Sequence, residues 1–165
     1  MKNILACEGP SEVCLIKSLI CFGHTLAVDN IFLDEPIVAR QIHKYLPLIN
    51  AMDVSEDINI LRIGDTQNEE FSRKELETRD DHIRVLKYCT KPELEILVII
   101  NEGLFDRFCK CSSKIRPKQF VKRNVKDFNI DNYFLKNDMF EALNKYKMLK
   151  KHKKDELFLI DLFIN

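Results

Sequence analysis

The sequence predicts an α/β domain in three layers: a mostly parallel sheet of four to five strands, covered by helices on both faces. Three observations lead there. Short apolar, β-rich runs at 3–7, 30–33, 58–63 and 83–88 alternate with stretches of helical spacing. Glycine or proline punctuates nearly every junction, as at Gly9-Pro10, Pro36 and Gly64. The 165-residue length suits one domain with a real core, divided here into a sheet core over 1–110 and a basic helical extension with a closing apolar segment over 111–165.

The elements follow in order. Residues 3–7 form an apolar run stopped by Gly9-Pro10, which reads as a buried strand. Pro10 suits a first helical turn, apolar residues at 13, 15, 16, 19 and 20 mark the buried face of a helix over 11–22, and Gly23 ends it. A second strand is expected at 30–33, punctuated by Asp34-Glu35-Pro36, with Ile37, Ile42, Tyr45, Leu46 and Ile49 at helical spacing after it. The third strand, 58–63, ends at Gly64-Asp65, and the polar stretch 66–81 reads as a loop with one short helix over 70–77. After a fourth strand at 83–88, Pro92 opens a long apolar helix to about Cys109. Basic helices are expected over 118–128 and 137–151, and the final apolar segment reads as a core strand or a closing helix.

Charge is balanced overall, with 26 basic and 26 acidic residues, but it is not evenly spread. Residues 110–154 carry fourteen Lys and Arg against Asp127, Asp131, Asp138 and Glu141, a net +10 that leaves −10 for the rest. Such a split suits an acidic body with a segment that faces a polyanion, and equally a solvated lysine-rich helix face. Cys7, Cys14 and Cys21 recur every seven residues among Leu and Ile, and Cys109 and Cys111 are too close for an ordinary disulfide. Free structural thiols in a reducing cytoplasm are therefore expected. The N-terminus has no signal-peptide apolar region and no stretch reaches membrane-spanning length, which predicts a soluble intracellular protein. His24, His43, His82 and His152 are dispersed and lack metalloprotease spacing, Gly-x-Ser-x-Gly is absent, and no phosphate-binding P-loop is present, so an ATPase would have to be a partner.

The carboxylates carry the functional signal. Glu8 follows the first strand, Asp65 follows the third, and Glu95 opens the long helix. Acidic side chains delivered to one edge of a parallel sheet are a common way to bind a divalent cation. Glu12 lies one turn into the first helix, where it could reach the same cleft. Gly9 permits close backbone approach, and Ser11 could cap the helix and leave N–H groups for an anion. Taken alone, Glu8 is equally a partner of the helix dipole.

In this arrangement the chain resembles the TOPRIM fold, a Rossmann-like domain in which a Glu after the first strand and an Asp-x-Asp after a later one hold magnesium. TOPRIM domains occur in topoisomerases, primases, recombination proteins and the nuclease domains of overcoming-lysogenization-defect proteins. The segment from Lys91-Pro92-Glu93-Leu94-Glu95 to Asn101-Glu102, with Cys7-Glu8-Gly9 at the first strand, is similar to the RloB-like group associated with bacterial restriction and abortive infection. The match covers residues 3 to about 105 through some fifteen positions. It departs at Asp65-Thr66-Gln67, where Gln67 offers a carbonyl oxygen but no charge and so weakens cation affinity, and at Leu97 in place of a tryptophan. Asp34 and Glu35 could compensate if their strand neighbours the first.

The resemblance implies a magnesium- or manganese-dependent phosphodiesterase, a nuclease of a bacterial or phage-related defence system. Glu8, Asp65 and Glu95 would share the cation, with Glu12 and Gln67 as further ligands, and Lys91 or Lys87 would hold a phosphate oxygen. Lys118, Lys122 and Arg123 would position the nucleic-acid backbone. The alternatives are a catalytically inactive TOPRIM-like module that binds nucleic acid or a partner protein, and a Rossmann-like domain whose charged strand ends serve solubility. The apolar tail over 157–164 could complete a sheet edge or a homo-oligomer contact.

Overall fold

The computed structural model describes residues 1–38, 44, 46–53, 55–65, 80–90, 93–149 and 156–164. Strand β1 (Lys2–Cys7) leads into helix α1 (Pro10–Cys21), which starts with Pro10 in its first turn and ends where Gly23 takes a φ of 97°. The cap residue is Gly9; Ser11 lies inside the first turn and does not cap. Short strand β2 (Thr25–Leu26) follows, then β3 (Ile37–Val38), helix α2 (Leu46–Asn50), β4 (Ile58–Gly64) and β5 (Ile83–Cys89). Helices α3 (Glu95–Asn101), α4 (Phe105–Cys109), α5 (Pro117–Asn124), α6 (Ile130–Lys136) and α7 (Phe140–Leu149) come next, and short strands β6 (Leu157–Phe158) and β7 (Phe163–Ile164) close the chain.

The main sheet has five strands in the order β3-β1-β4-β5-β6, and every neighbouring pair is parallel. This agrees with the α/β, mostly parallel sheet expected from the alternation of runs. Side chains alternate between two cores, as strand geometry requires. Leu5 and Cys7 of β1 and Leu61 and Ile63 of β4 face a large core shared with α1, α3 and α5–α7. Ile4, Ala6, Ile58 and Ile60 face a smaller one containing Ile49 of α2 and Met52. β2 and β7 pair antiparallel in a separate two-stranded sheet, which ties the end of the chain to the segment after α1.

Four expectations need correction. The second strand is not at 30–33: Ile31 makes a single bridge to Asn3, and Phe32–Asp34 is a 3-10 turn with Leu33 and Asp34 at positive φ. Left-handed backbone cannot continue a ladder, so pairing resumes only after Pro36, at β3. The long helix is two helices, because Gly103 at φ 68° turns the chain between α3 and α4. The stretch 118–128 is helical only to Asn124, and α6, which helical spacing did not reveal, stands ahead of α7. The closing segment is neither one strand nor one helix but β6, a 3-10 turn over Leu159–Leu162, and β7.

All six cysteines are free thiols, as expected. His24 and His82 pair with single carboxylates, Asp138 at 2.8 Å and Asp57 at 2.9 Å, while His43 and His152 lie outside the described residues. The expected loop and helix within 66–81 lie outside them too, apart from a 3-10 turn at Asp80–His82. No helix among the described residues is long and apolar enough to cross a membrane.

Candidate functional site

From β1 the chain crosses to β3 on one side and then returns to β4 on the other. The strand order therefore reverses at the β1/β4 seam, with α1 packed on one face and α2 on the opposite one. In open α/β sheets the crevice outside the carboxyl ends of the strands at such a reversal is the usual ligand site. Glu8 and Asp65 are the residues that leave β1 and β4 there.

Glu8 extends the ladder by one step, its N–H donating to the Ile63 carbonyl at 2.9 Å. Its carboxylate then crosses the seam, where Oε2 accepts the Asp65 N–H at 3.0 Å. Gly64 makes this possible, because a Cβ at that position would stand 2.3 Å from Glu8 Oε2. Beside this pair a cleft of about 340 Å³ opens, with Glu8, Glu12, Asp65, Thr90, Glu95 and Lys118 among its lining residues.

Burial pushes the Glu12 carboxyl above the ordinary carboxylate range, and the charges of Glu8 and Asp65 push the same way, against hydrogen bonds from the N–H groups of Glu12 and Gly9. Glu12 therefore opposes folding when ionised. That cost is present at neutral pH and disappears as pH falls below the ordinary glutamate pKa of about 4.3. Glu12→Gln is expected to raise the melting temperature of the cation-free protein at neutral pH, the gap from wild type closing as the pH is lowered; a gap that widens in acid would contradict the assignment.

The sequence-predicted residues are gathered only in part. Glu8, Glu12 and Asp65 act on one another electrostatically. Glu95, 8% exposed, lines the same cleft but answers to other neighbours. Burial raises its carboxyl, Glu93 adds to the shift, and Lys118 and Lys122 pull it back. Lys118 lines the cleft; Lys122 and Arg123 line a neighbouring cavity; Lys87 lies within β5 and does not line the cleft. Lys91 and Gln67 lie outside the described residues. Asp34 and Glu35 precede β3 rather than follow a neighbouring strand, and Glu35 is ion-paired to Lys17 at 2.7 Å.

Two residues of the cleft escaped the sequence reading. Thr90 follows β5, is 5% exposed, and its hydroxyl has no hydrogen-bond partner among the described residues. A buried hydroxyl left unpaired at a cleft wall is an open valence for a ligand. Glu93 accepts the Lys118 N–H at 3.1 Å, closing the N-terminal turn of α5 and seating Lys118 at the cleft. The signal for Thr90 was its place at a strand end beside Glu93 and Glu95; nothing local marked Glu93 as a cap for a helix 24 residues later.

Three carboxylates supply the hard oxygen donors that a divalent cation prefers; burial is the main cause that raises the Glu12 carboxyl, and the charges of Glu8 and Asp65 add a repulsion that such a cation would offset. No group of three or more His, Cys, Asp or Glu among the described residues is already arranged as a metal shell. Donor chemistry fits; a ready-made shell is not part of the described structure.

Fold and site together define an α/β protein with a five-stranded parallel sheet and an acidic cleft at the point where its strand order reverses. The chain matches no protein-family model, no curated protein and no solved structure.

Proposed function

We propose that this protein is a divalent-cation-dependent phosphodiesterase, a TOPRIM-like nuclease of bacterial or phage-related defence, with its site in the cleft beside Glu8, Glu12 and Asp65. One observation supports it above the others: Glu8 and Asp65 are joined across the β1/β4 seam, and Glu12 feels both charges. Glu8, Asp65 and Glu12 would hold magnesium or manganese, which when bound polarises a phosphodiester and activates water. Lys118, which lines the cleft, would hold the incoming phosphate, and the Thr90 hydroxyl would donate to one of its oxygens. Glu95, its carboxyl raised by burial, carries a proton to the departing oxygen.

The test is degradation of plasmid DNA, single-stranded DNA and RNA with magnesium or manganese. Glu8→Ala and Asp65→Ala are each expected to lower the rate by at least about 100-fold, beyond the roughly 10–100-fold typical of losing an outer-shell partner. Full cleavage by both variants would rule the site out.

A second reading is favoured by Gln67, which brings no charge where the resembled Asp-x-Asp pattern has its second carboxylate. In it the domain is catalytically inactive and binds nucleic acid or a partner protein, while Glu12 serves as a helix-capping side chain. Metal-independent binding with no cleavage under either cation would decide for it.

A further inference from the structure

We propose that the ridge running from α5 into α6 binds a single-stranded nucleic acid, one base stacking on Phe128 while the backbone passes over Lys126, Arg123 and Lys122 toward the acidic cleft. The direction of that path rests on the phosphodiesterase reading; the binding itself does not.

The ridge is continuous in charge. Lys118 and Lys122 stand one turn apart on the exposed side of α5, and both act on Glu95, so the basic surface begins at the cleft wall. Lys122, Arg123 and Lys126 are exposed, and none of them has an ion-pair partner within 4.0 Å among the described residues. With Phe128 they line a cavity of about 600 Å³. Asp127, at a φ of 50°, is the one acidic residue among the described residues that line it.

The same loop borders a second, smaller pocket of about 170 Å³, whose lining includes Phe128, Asn132, Tyr133 and Lys136. Sites that enclose a whole small molecule run to ~300–1,000 Å³, so this one suits a single flat ring. Phe128 is half-buried and borders both spaces, which makes it the natural divider between a backbone track and a base. Its ring lies 6.2 Å from that of Tyr133, tilted by 56°. Tyr133 is held in place: its hydroxyl donates to Glu102 at 2.6 Å and accepts from Asn101 at 2.8 Å. A rigid aromatic wall next to unpaired cations is the combination that single-strand binders use. Duplexes keep their base faces stacked and cannot offer one to such a pocket.

The test is fluorescence anisotropy of the full chain with labelled oligothymidine, oligouridine and duplex DNA, all in EDTA so that cation chemistry plays no part. Single strands are expected to bind more tightly than duplex. Phe128→Leu keeps apolar volume on the core but removes the π-face, and should weaken single-strand binding roughly five- to 150-fold while leaving duplex binding unchanged. Phe128→Tyr should restore it. Lys122→Gln with Arg123→Gln should weaken single strands and duplex alike and flatten the salt dependence. Should Phe128→Leu fold poorly, photocrosslinking of an iodouracil-containing strand to the wild-type chain gives the same answer, with adducts expected on Phe128 or Tyr133. Equal affinity for duplex, an unaltered Phe128→Leu protein, or adducts confined elsewhere would each overturn the proposal. Glu8→Ala and Asp65→Ala keep this binding even where they abolish cleavage, so the two readings fail separately.

Discussion

Gly64→Ala is expected to cost about 2–4 kcal/mol of stability and to abolish any rise in melting temperature produced by magnesium or manganese. The new Cβ would lie 2.3 Å from Glu8 Oε2 and 2.8 Å from Glu8 Cβ. The first atom ends a flexible side chain and can swing away. The second is fixed to the backbone next to β1, so it moves only if the strand pair is pushed apart. Overpacking of this kind costs about 1–3 kcal/mol, and the Asp65 N–H loses a charged acceptor worth about 1.5–3 kcal/mol. The two terms overlap, since swinging Glu8 away relieves one by incurring the other. Urea unfolding and thermal melts with and without cation measure both effects. A variant that melts within about 2 °C of wild type and keeps the cation response would refute the role given to Gly64.

Phe134→Ala is expected to lose about 3–5 kcal/mol, the largest effect of any change considered. Phe134 is fully buried on α6, in the core where α1 and α6 meet. The Ser18 hydroxyl of α1 donates to the Phe134 carbonyl, and the Cys14 thiol donates to the Asp131 carbonyl at 3.5 Å. Deleting the ring leaves a cavity that these fixed backbone contacts prevent α6 from filling. For a chain of 165 residues the loss amounts to a melting temperature lower by roughly 6–20 °C. Because Ile130 of α6 lines the acidic cleft and Tyr133 lines the small pocket, both sites should loosen together. A loss under about 1 kcal/mol would mean that α6 does not depend on this side chain.

Most of the sheet was legible from local pattern. The apolar runs that became β1, β4 and β5 are bounded by glycine or by polar residues; β1 and β4 are buried along almost their whole length, whereas β5 alternates half-buried with exposed residues until Tyr88. The illegible elements share a cause. Phe32–Asp34 has strand-like composition, yet a left-handed pair of residues turns it away from the ladder. Phe105–Cys109 continues the helical spacing of α3, but one glycine redirects it. α6 has little amphipathic signal of its own and is placed by what its neighbours offer Phe134.

The site divides in the same way. By itself the sequence determined that Glu8 and Asp65 would stand at strand ends, because the runs before them are apolar and a glycine adjoins each acidic residue. Strand order was not in the local pattern, and strand order decides distance. Only the tertiary structure set β1 beside β4, so that Glu8 reaches the Asp65 N–H, and brought Glu95 and Lys118 to the same cleft. Hydrophobic periodicity is a property of neighbours along the chain; a cleft is a property of neighbours in space, and the two coincide only where the strands that meet there are known.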